Sequence, residues 1–293
     1  MRPETGHIDR RHLLALAAAA SLTCVRARAA EAEPQIAALE ARYGGRLGFM
    51  ALDTGSGRRI AYRADERFNT ASTFKWLLAA AVLARVDRGA ERLDRRIAYT
   101  RADLLGVSPV TEANVARGSL SVAELCAAIV EVSDNAAANL LLASIGGPAA
   151  LTRWLRSQGD PVTNMVRNEP TLNSAIPGDA RDTTSPAAMV GNLQRLVLGA
   201  ALSAPSKARL IDSLTASRTG LKMLRAGLPA DWRVGDKTGR GANASVNDVA
   251  VAWRPSGAPV LMAAYLTTGD GGAADGVIAD LGRLVGARFG SGG

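Results

Sequence analysis

Apolar residues alternate or form short runs near both ends of the chain and recur at helical spacing through its middle. Residues 47–62, LGFMALDTGSGRRIAY, read as two short strands around a Gly-rich turn. Residues 246–267, VNDVAVAWRPSGAPVLMAAYLT, repeat that pattern with Pro255-Ser256-Gly257 at the turn, and Trp232 to Lys237 predict another strand ahead of them. Between these lie helical stretches. The alanine-rich WLLAAAVLARV at 76–86 is one, and the pair Ser121 and Glu124 forms a capping box that opens VAELCAAIVEV. Gly147-Pro148 opens PAALTRWLRSQ, which Gly159 closes, and Ser185-Pro186 opens PAAMVGNLQRLVLG. Ser206 is expected to begin KARLIDSLTAS, and DGVIADLGRLVGARF forms a last helix. Strands at both ends with helices between predict one antiparallel sheet shared by the termini, the central helices forming a second lobe. A cleft between the lobes is then the natural place for a site.

One segment fits neither period. Residues 160–184, DPVTNMVRNEPTLNSAIPGDARDTT, hold three prolines and no repeat, and a loop of that length in a compact domain carries a function or lacks order. The start of the chain is also distinct. RRHLLALAAAASLT at 10–23 joins positive charge to a short apolar run, and Ala27-Arg28-Ala29 supplies a small-x-small cleavage site, so residues 1–29 read as an export signal. Arg10-Arg11 suggests the twin-arginine route, with the general export route as the alternative. No apolar run is long enough to span a bilayer.

Composition narrows the chemistry. Both histidines, His7 and His12, and Cys24 lie in the leader, which leaves a mature chain with no histidine and the single cysteine Cys126. A Ser-His-Asp triad, a Cys-His pair, a histidine-bound zinc site and an internal disulfide are thereby excluded. Cys126 reads as a buried helix residue. The chain carries a formal net charge of +8, from 31 Arg and 4 Lys against 27 acidic residues. The leader accounts for three of those charges, and the rest are scattered without aromatic interleaving, which argues for a solvated basic surface and against nucleic-acid binding.

The scarcity of lysine singles out two positions. Lys75 follows Ser72 by three residues at the start of a helix, where the two share one face. A lysine, unlike an arginine, can exchange a proton with such a neighbour. Lys237 heads Lys237-Thr238-Gly239 at the end of a strand, and Ser133-Asp134-Asn135 stands in a break between two helical runs. The irregular segment between them carries Glu169-Pro170-Thr171-Leu172-Asn173. Each motif alone is ordinary; the ordered set is not.

In that order the motifs resemble a class A serine β-lactamase, whose signature includes the serine-lysine, SDN and KTG elements. RLGFMALDTGSGRR at 46–59, SPVTE at 108–112 and NDVAV at 247–251 add to the resemblance, which covers nearly the whole mature chain. It implies an α+β two-lobe fold of the serine β-lactamase and D,D-peptidase type. The α/β lobe is expected from residues 30–67 and 219–293, and the all-α lobe from 68–218 with an omega-type loop at 164–182. It implies Ser72 as nucleophile, an oxyanion site at the N–H groups of Ser72 and Arg240, and a proton relay through Ser133 with Lys75 and Lys237. Glu169 and Asn173 would hold the deacylating water, with either Lys75 or Glu169 as base for acylation. Asn135 would meet the substrate's side-chain amide, while Thr238 and Gly239 line the cleft. Arg167 and Asp182 would pair across the loop's neck, and the Glu169–Pro170 bond would be cis. A small β-lactam substrate, no cofactor or metal, a monomer, and a periplasmic or secreted location complete the expectation.

Three departures bear on specificity. Met223, Val246 and Asp275 occupy the positions where relatives carry the arginine that anchors the substrate carboxylate, so Arg240, directly after the KTG motif, is the candidate replacement. Val107 stands where an aromatic usually lines the cleft entrance, and Asn168 replaces a bulky residue before the loop glutamate. Ala71 and Gly241 replace the cysteines that bridge the site in some carbapenem-hydrolysing relatives. The rival readings are a D,D-peptidase or a β-lactam sensor, both of which lack the loop glutamate and stall as acyl-enzymes.

Overall fold

A computed structural model describes residues 33–290; the leader, with its export and cleavage readings, lies outside the described residues. Helix α1 covers 33–43, and strands β1 (Arg46–Asp53), β2 (Arg59–Tyr62) and β3 (Phe68–Asn69) follow. A 3-10 turn at Ala71–Thr73 runs into α2 (Phe74–Asp87), then β4 (Arg96–Ala98), α3 (Pro109–Ala113) and β5 (Ser119–Ser121). Next come α4 (Val122–Glu131), α5 (Asn135–Ile145), α6 (Pro148–Ser157), β6 (Thr183–Thr184) and α7 (Pro186–Leu193), which ends in a π-helical turn at Gln194–Leu198. Helices α8 (Ala204–Thr215) and α9 (Leu224–Gly227) precede β7 (Arg233–Arg240), β8 (Val246–Trp253), β9 (Val260–Thr267) and α10 (Ala274–Phe289).

Both chain ends build one five-stranded sheet, ordered β2-β1-β9-β8-β7 and antiparallel throughout. Its central strands are buried along almost their whole length because each face meets a different core. Successive strand residues point to opposite faces. Val249, Val251, Leu261, Ala263 and Tyr265 accordingly join a core built on α2, α4, α5, α7 and α8. The alternate residues Ala250, Ala252, Met262 and Ala264 pack with Ile36 of α1 and Val277, Ile278 and Leu281 of α10. The expected two-lobe α+β architecture is the one observed.

Helix α2 explains the alanine-rich run. Every residue from Phe74 to Ala84 is buried, Lys75 included, so the helix is apolar on all sides and runs through the middle of the helical core. The predicted caps of α4 and α7 hold, with Ser121 accepting from Glu124 N and Ser185 from Ala188 N. Cys126 is buried on α4. Two expectations need correction. Helix α8 starts one turn before Ser206, because Ser203 caps it by accepting from Ser206 N. Strand β7 runs on through Gly239 to Arg240, held in register against Val246 of β8.

Candidate active site

The 3-10 turn before α2 sets the central geometry. It leads directly into α2, so Ser72 in the turn and Lys75 in the first turn of the helix share one face, and Ser72 Oγ accepts from Lys75 Nζ at 2.9 Å. The same ammonium lies 3.0 Å from Glu169 Oε1 and donates to Ser133 O at 2.8 Å and Asn135 Oδ1 at 2.5 Å. Ser72 Oγ is itself 3.3 Å from Glu169 Oε1. From the opposite wall Lys237 Nζ donates to Ser133 Oγ at 3.1 Å and to Thr238 O. Residues from four separate stretches thus converge around the Ser72 and Ser133 hydroxyls.

Burial decides the charge states. Both lysines are fully buried. Desolvation draws Lys75 below the ordinary lysine value, against the opposite pull of the Glu169 carboxylate. Desolvation, and then the charge of Lys75, bring Lys237 down to about 7. Behind β7 the buried Asp236 pairs with Arg225, whose Nε lies at 3.0 Å, and burial pushes its carboxyl up. Register puts Asp248 on the same face of the sheet, opposite Thr238. Its Oδ2 accepts from Leu224 N at 3.0 Å while Oδ1 has no partner among the described residues, and burial followed by the nearby Asp236 raises it well above the usual carboxylate value.

The irregular loop delivers Glu169. Asp182 is fully buried at the loop's neck; its Oδ1 accepts from Val166 N (2.7 Å) and Arg167 N (3.0 Å), and its Oδ2 from Arg167 Nε at 2.6 Å. The Glu169–Pro170 bond is cis. Asn173 Nδ2 donates to Glu169 Oε2 at 2.5 Å, and the buried Asn173 Oδ1 has no partner among the described residues. An acceptor left open beside the carboxylate suits a water that Glu169 can deprotonate.

The cleft, about 470 Å³, is lined by Ser72, Val107, Ser133, Asn135, Asn173, Thr238, Gly239 and Arg240, so every expected substrate-facing residue reaches it. A cavity of similar size, about 510 Å³, lies behind the loop between Phe68, Ile176 and Arg181, away from Ser72. Ala71, Val107 and Ser133, all around the cleft, hold φ of 40°, 60° and 63°. Such backbone is costly for non-glycine residues, most of all for a β-branched one, and gathers at functional sites. A Cβ on Gly239 would sit 3.0 Å from both Ser72 N and Thr70 O. That close approach brings the end of β7 against the backbone N–H of Ser72.

Some groups differ from their expected roles in the free enzyme. Thr238 Oγ1 donates to Thr219 Oγ1 at 2.6 Å, so its proton is held by a neighbouring residue of the cleft wall. Asn135 Nδ2 donates to Gly106 O, leaving one of its two N–H groups for a substrate. Arg240 Nη2 meets Asp275 Oδ1 at 2.5 Å. Asp134 is structural: fully buried, it accepts from Val110 N, Thr111 N and Ala137 N. Sequence reasoning missed Thr219 and also Asn139, which clamps the Glu169 backbone by donating to Glu169 O and accepting from Glu169 N. Asn139 lies one helical turn after Asn135, a spacing that could have pointed to it.

A buried serine sharing its hydroxyl with a lysine and a glutamate, in a cleft between two lobes and with no histidine among the described residues, defines a serine hydrolase. Comparison with known proteins makes the class specific. The profile of the Beta-lactamase enzyme family matches residues 31–289, and the chain belongs to that family as a class A serine β-lactamase. It is 52% identical over 235 residues, 80% of each chain, to the carbapenem-hydrolyzing beta-lactamase KPC of Klebsiella oxytoca. It is 48% identical to the beta-lactamase AST-1 of Nocardia asteroides, covering 88% of each. Among solved structures, an ancestral (GNCA) class A beta-lactamase is 60% identical with a TM-score of 0.86, over 88% of this chain and all of that one.

Proposed function

We propose that this enzyme opens the ring of penicillins and cephalosporins through an ester on Ser72 that Glu169 hydrolyses. In acylation Ser72 Oγ attacks the lactam carbonyl as its proton leaves to the Lys75–Glu169 pair. These two groups are 3.0 Å apart, so a proton given to one reaches the other. The oxyanion rests on the N–H groups of Ser72 and Arg240. The C–N bond breaks as Ser133 protonates the departing nitrogen, and Lys75 or Lys237, both within 3.3 Å of Ser133 Oγ, restores the Ser133 proton. Water held by Glu169 and Asn173 then attacks the ester carbonyl; Glu169 takes its proton, and Ser72 Oγ departs as that proton returns to it through Lys75.

Arg240 anchors the substrate carboxylate, supported by its place on the cleft wall and by the burial of Met223 and Val246. The described residues of 30–67 and 219–293 form the α/β lobe and 68–218 the all-α lobe. The leader directs the enzyme out of the cytoplasm, where it acts as a single chain.

The observation that carries the reading is the 3.3 Å approach of Glu169 to Ser72. Neither a D,D-peptidase nor a sensor has that carboxylate. The test is a chromogenic cephalosporin added in large excess to the mature enzyme. Many turnovers per active site are expected, and a stall near one equivalent would contradict the reading.

A further inference from the structure

Arg240 ends β7 with its side chain about half exposed, and Asp275 in the first turn of α10 meets it through a single nitrogen of the guanidinium, Nη2 to Oδ1. No other hydrogen bond to the Arg240 side chain is present among the described residues, so the remaining N–H groups of the fork are free. The cleft therefore offers an arriving carboxylate a pair with no net charge rather than a bare cation. We propose that Asp275 is a specificity-determining positioning residue that holds and neutralises Arg240, weakening the capture of carboxylate-bearing substrates. This rests on Arg240 being the carboxylate anchor.

The substrate's carboxylate takes no part in bond making, so it meets Arg240 equally in the bound substrate and in the transition state. Interactions of that kind change KM and leave kcat alone. Asp275 is 33% and Arg240 54% exposed, which places the pair among solvent-screened contacts whose removal shifts an equilibrium by about two- to fivefold. Asparagine keeps the oxygen that accepts from Nη2 and removes only the charge.

The experiment measures KM and kcat for a penicillin and for its methyl ester with four enzymes: wild type, Asp275→Asn, Arg240→Ala and the double variant. Arg240→Ala is expected to raise KM for the free acid. Asp275→Asn is expected to lower that KM about two- to fivefold at unchanged kcat, with no change for the ester and none in the Arg240→Ala background. Asp275 also sits where a helix start favours an acid, so Asp275→Ser, which suits that position, should reproduce the fall in KM. An unchanged or raised KM in Asp275→Asn, with Arg240→Ala still impaired, overturns the inference and leaves the anchor standing. An equal fall in both backgrounds also overturns it, because Asp275 would then act through its own field. An Arg240→Ala enzyme with normal KM removes the anchor and the inference together.

Discussion

Asp182 offers the sharpest view of how the loop is held. Replacing it with asparagine keeps its shape, and the residue holds φ of 54°, a conformation asparagine tolerates as readily as aspartate. Oδ1 can still accept from Val166 N and Arg167 N, but the charge-assisted bond from Arg167 Nε at 2.6 Å is lost and an amide N–H faces the guanidinium instead. Removing one partner of a buried pair costs about 3–5 kcal/mol. Arg167 keeps Asp179 at 3.7 Å as a second acidic neighbour, so the lower end applies, about 3 kcal/mol. Because the clamp joins only the two ends of the loop, the loss falls on its docking rather than on the sheet. Amides of residues 164–182 should exchange hydrogen about a hundredfold faster, taking 1.4 kcal/mol per factor of ten. Peptides from β8 and β9 should be unchanged. In the proposed mechanism the loop supplies the deacylating carboxylate, so ester hydrolysis should slow more than ester formation. Unchanged exchange in the loop, or equal acceleration in the loop and the sheet, would refute the reasoning.

Other expectations follow from the same geometry. Gly239→Ala places a Cβ 3.0 Å from Ser72 N and Thr70 O, so it should lower kcat by tenfold or more through displacement of the nucleophile's N–H, with nitrocefin turnover as the assay; unchanged turnover would sink that reading. Protonated Lys237 favours an anionic substrate and titrates at about 7 in the free enzyme, so kcat/KM should fall as pH rises through that value. Lys237→Arg, always charged, should move this alkaline limb upward; a limb left in place would assign it to another group. Asp248 has its pKa raised by folding, so its cost to stability is absent below the unfolded carboxylate value of about 4 and grows as pH rises toward the folded value. Asp248→Asn should therefore melt higher than the wild type at pH 8 by a few degrees and lose that advantage near pH 4; a difference independent of pH would refute this.

What was legible in the sequence was what neighbouring residues decide. Ser121 with Glu124, Ser185 before Pro186, and the two hairpins are local signals, and each formed where expected. The capping of α8 was misread because Ser203 and Ser206 are both acceptable caps, although Pro205 in the first turn favours Ser203. Helix α1 and the two- and three-residue pairings of β3 with β6 and β4 with β5 are too short or too close to the leader to announce themselves. The motifs were legible through their order, and the sheet and α2 then bring them within hydrogen-bond reach. Contacts between distant positions were not legible. Arg240 and Asp275 stand 35 residues apart, and Thr219 belongs to none of the motifs.

The central claim is that Glu169 empties the ester that Ser72 forms. Glu169→Gln keeps the size of the side chain and removes the base, a loss worth about 10²- to 10⁴-fold. Intact-mass analysis seconds after mixing with a penicillin should show nearly all of this variant carrying one covalent adduct on Ser72, while the wild type shows none. A variant that remains unmodified, or that releases the adduct as fast as the wild type, would contradict the account.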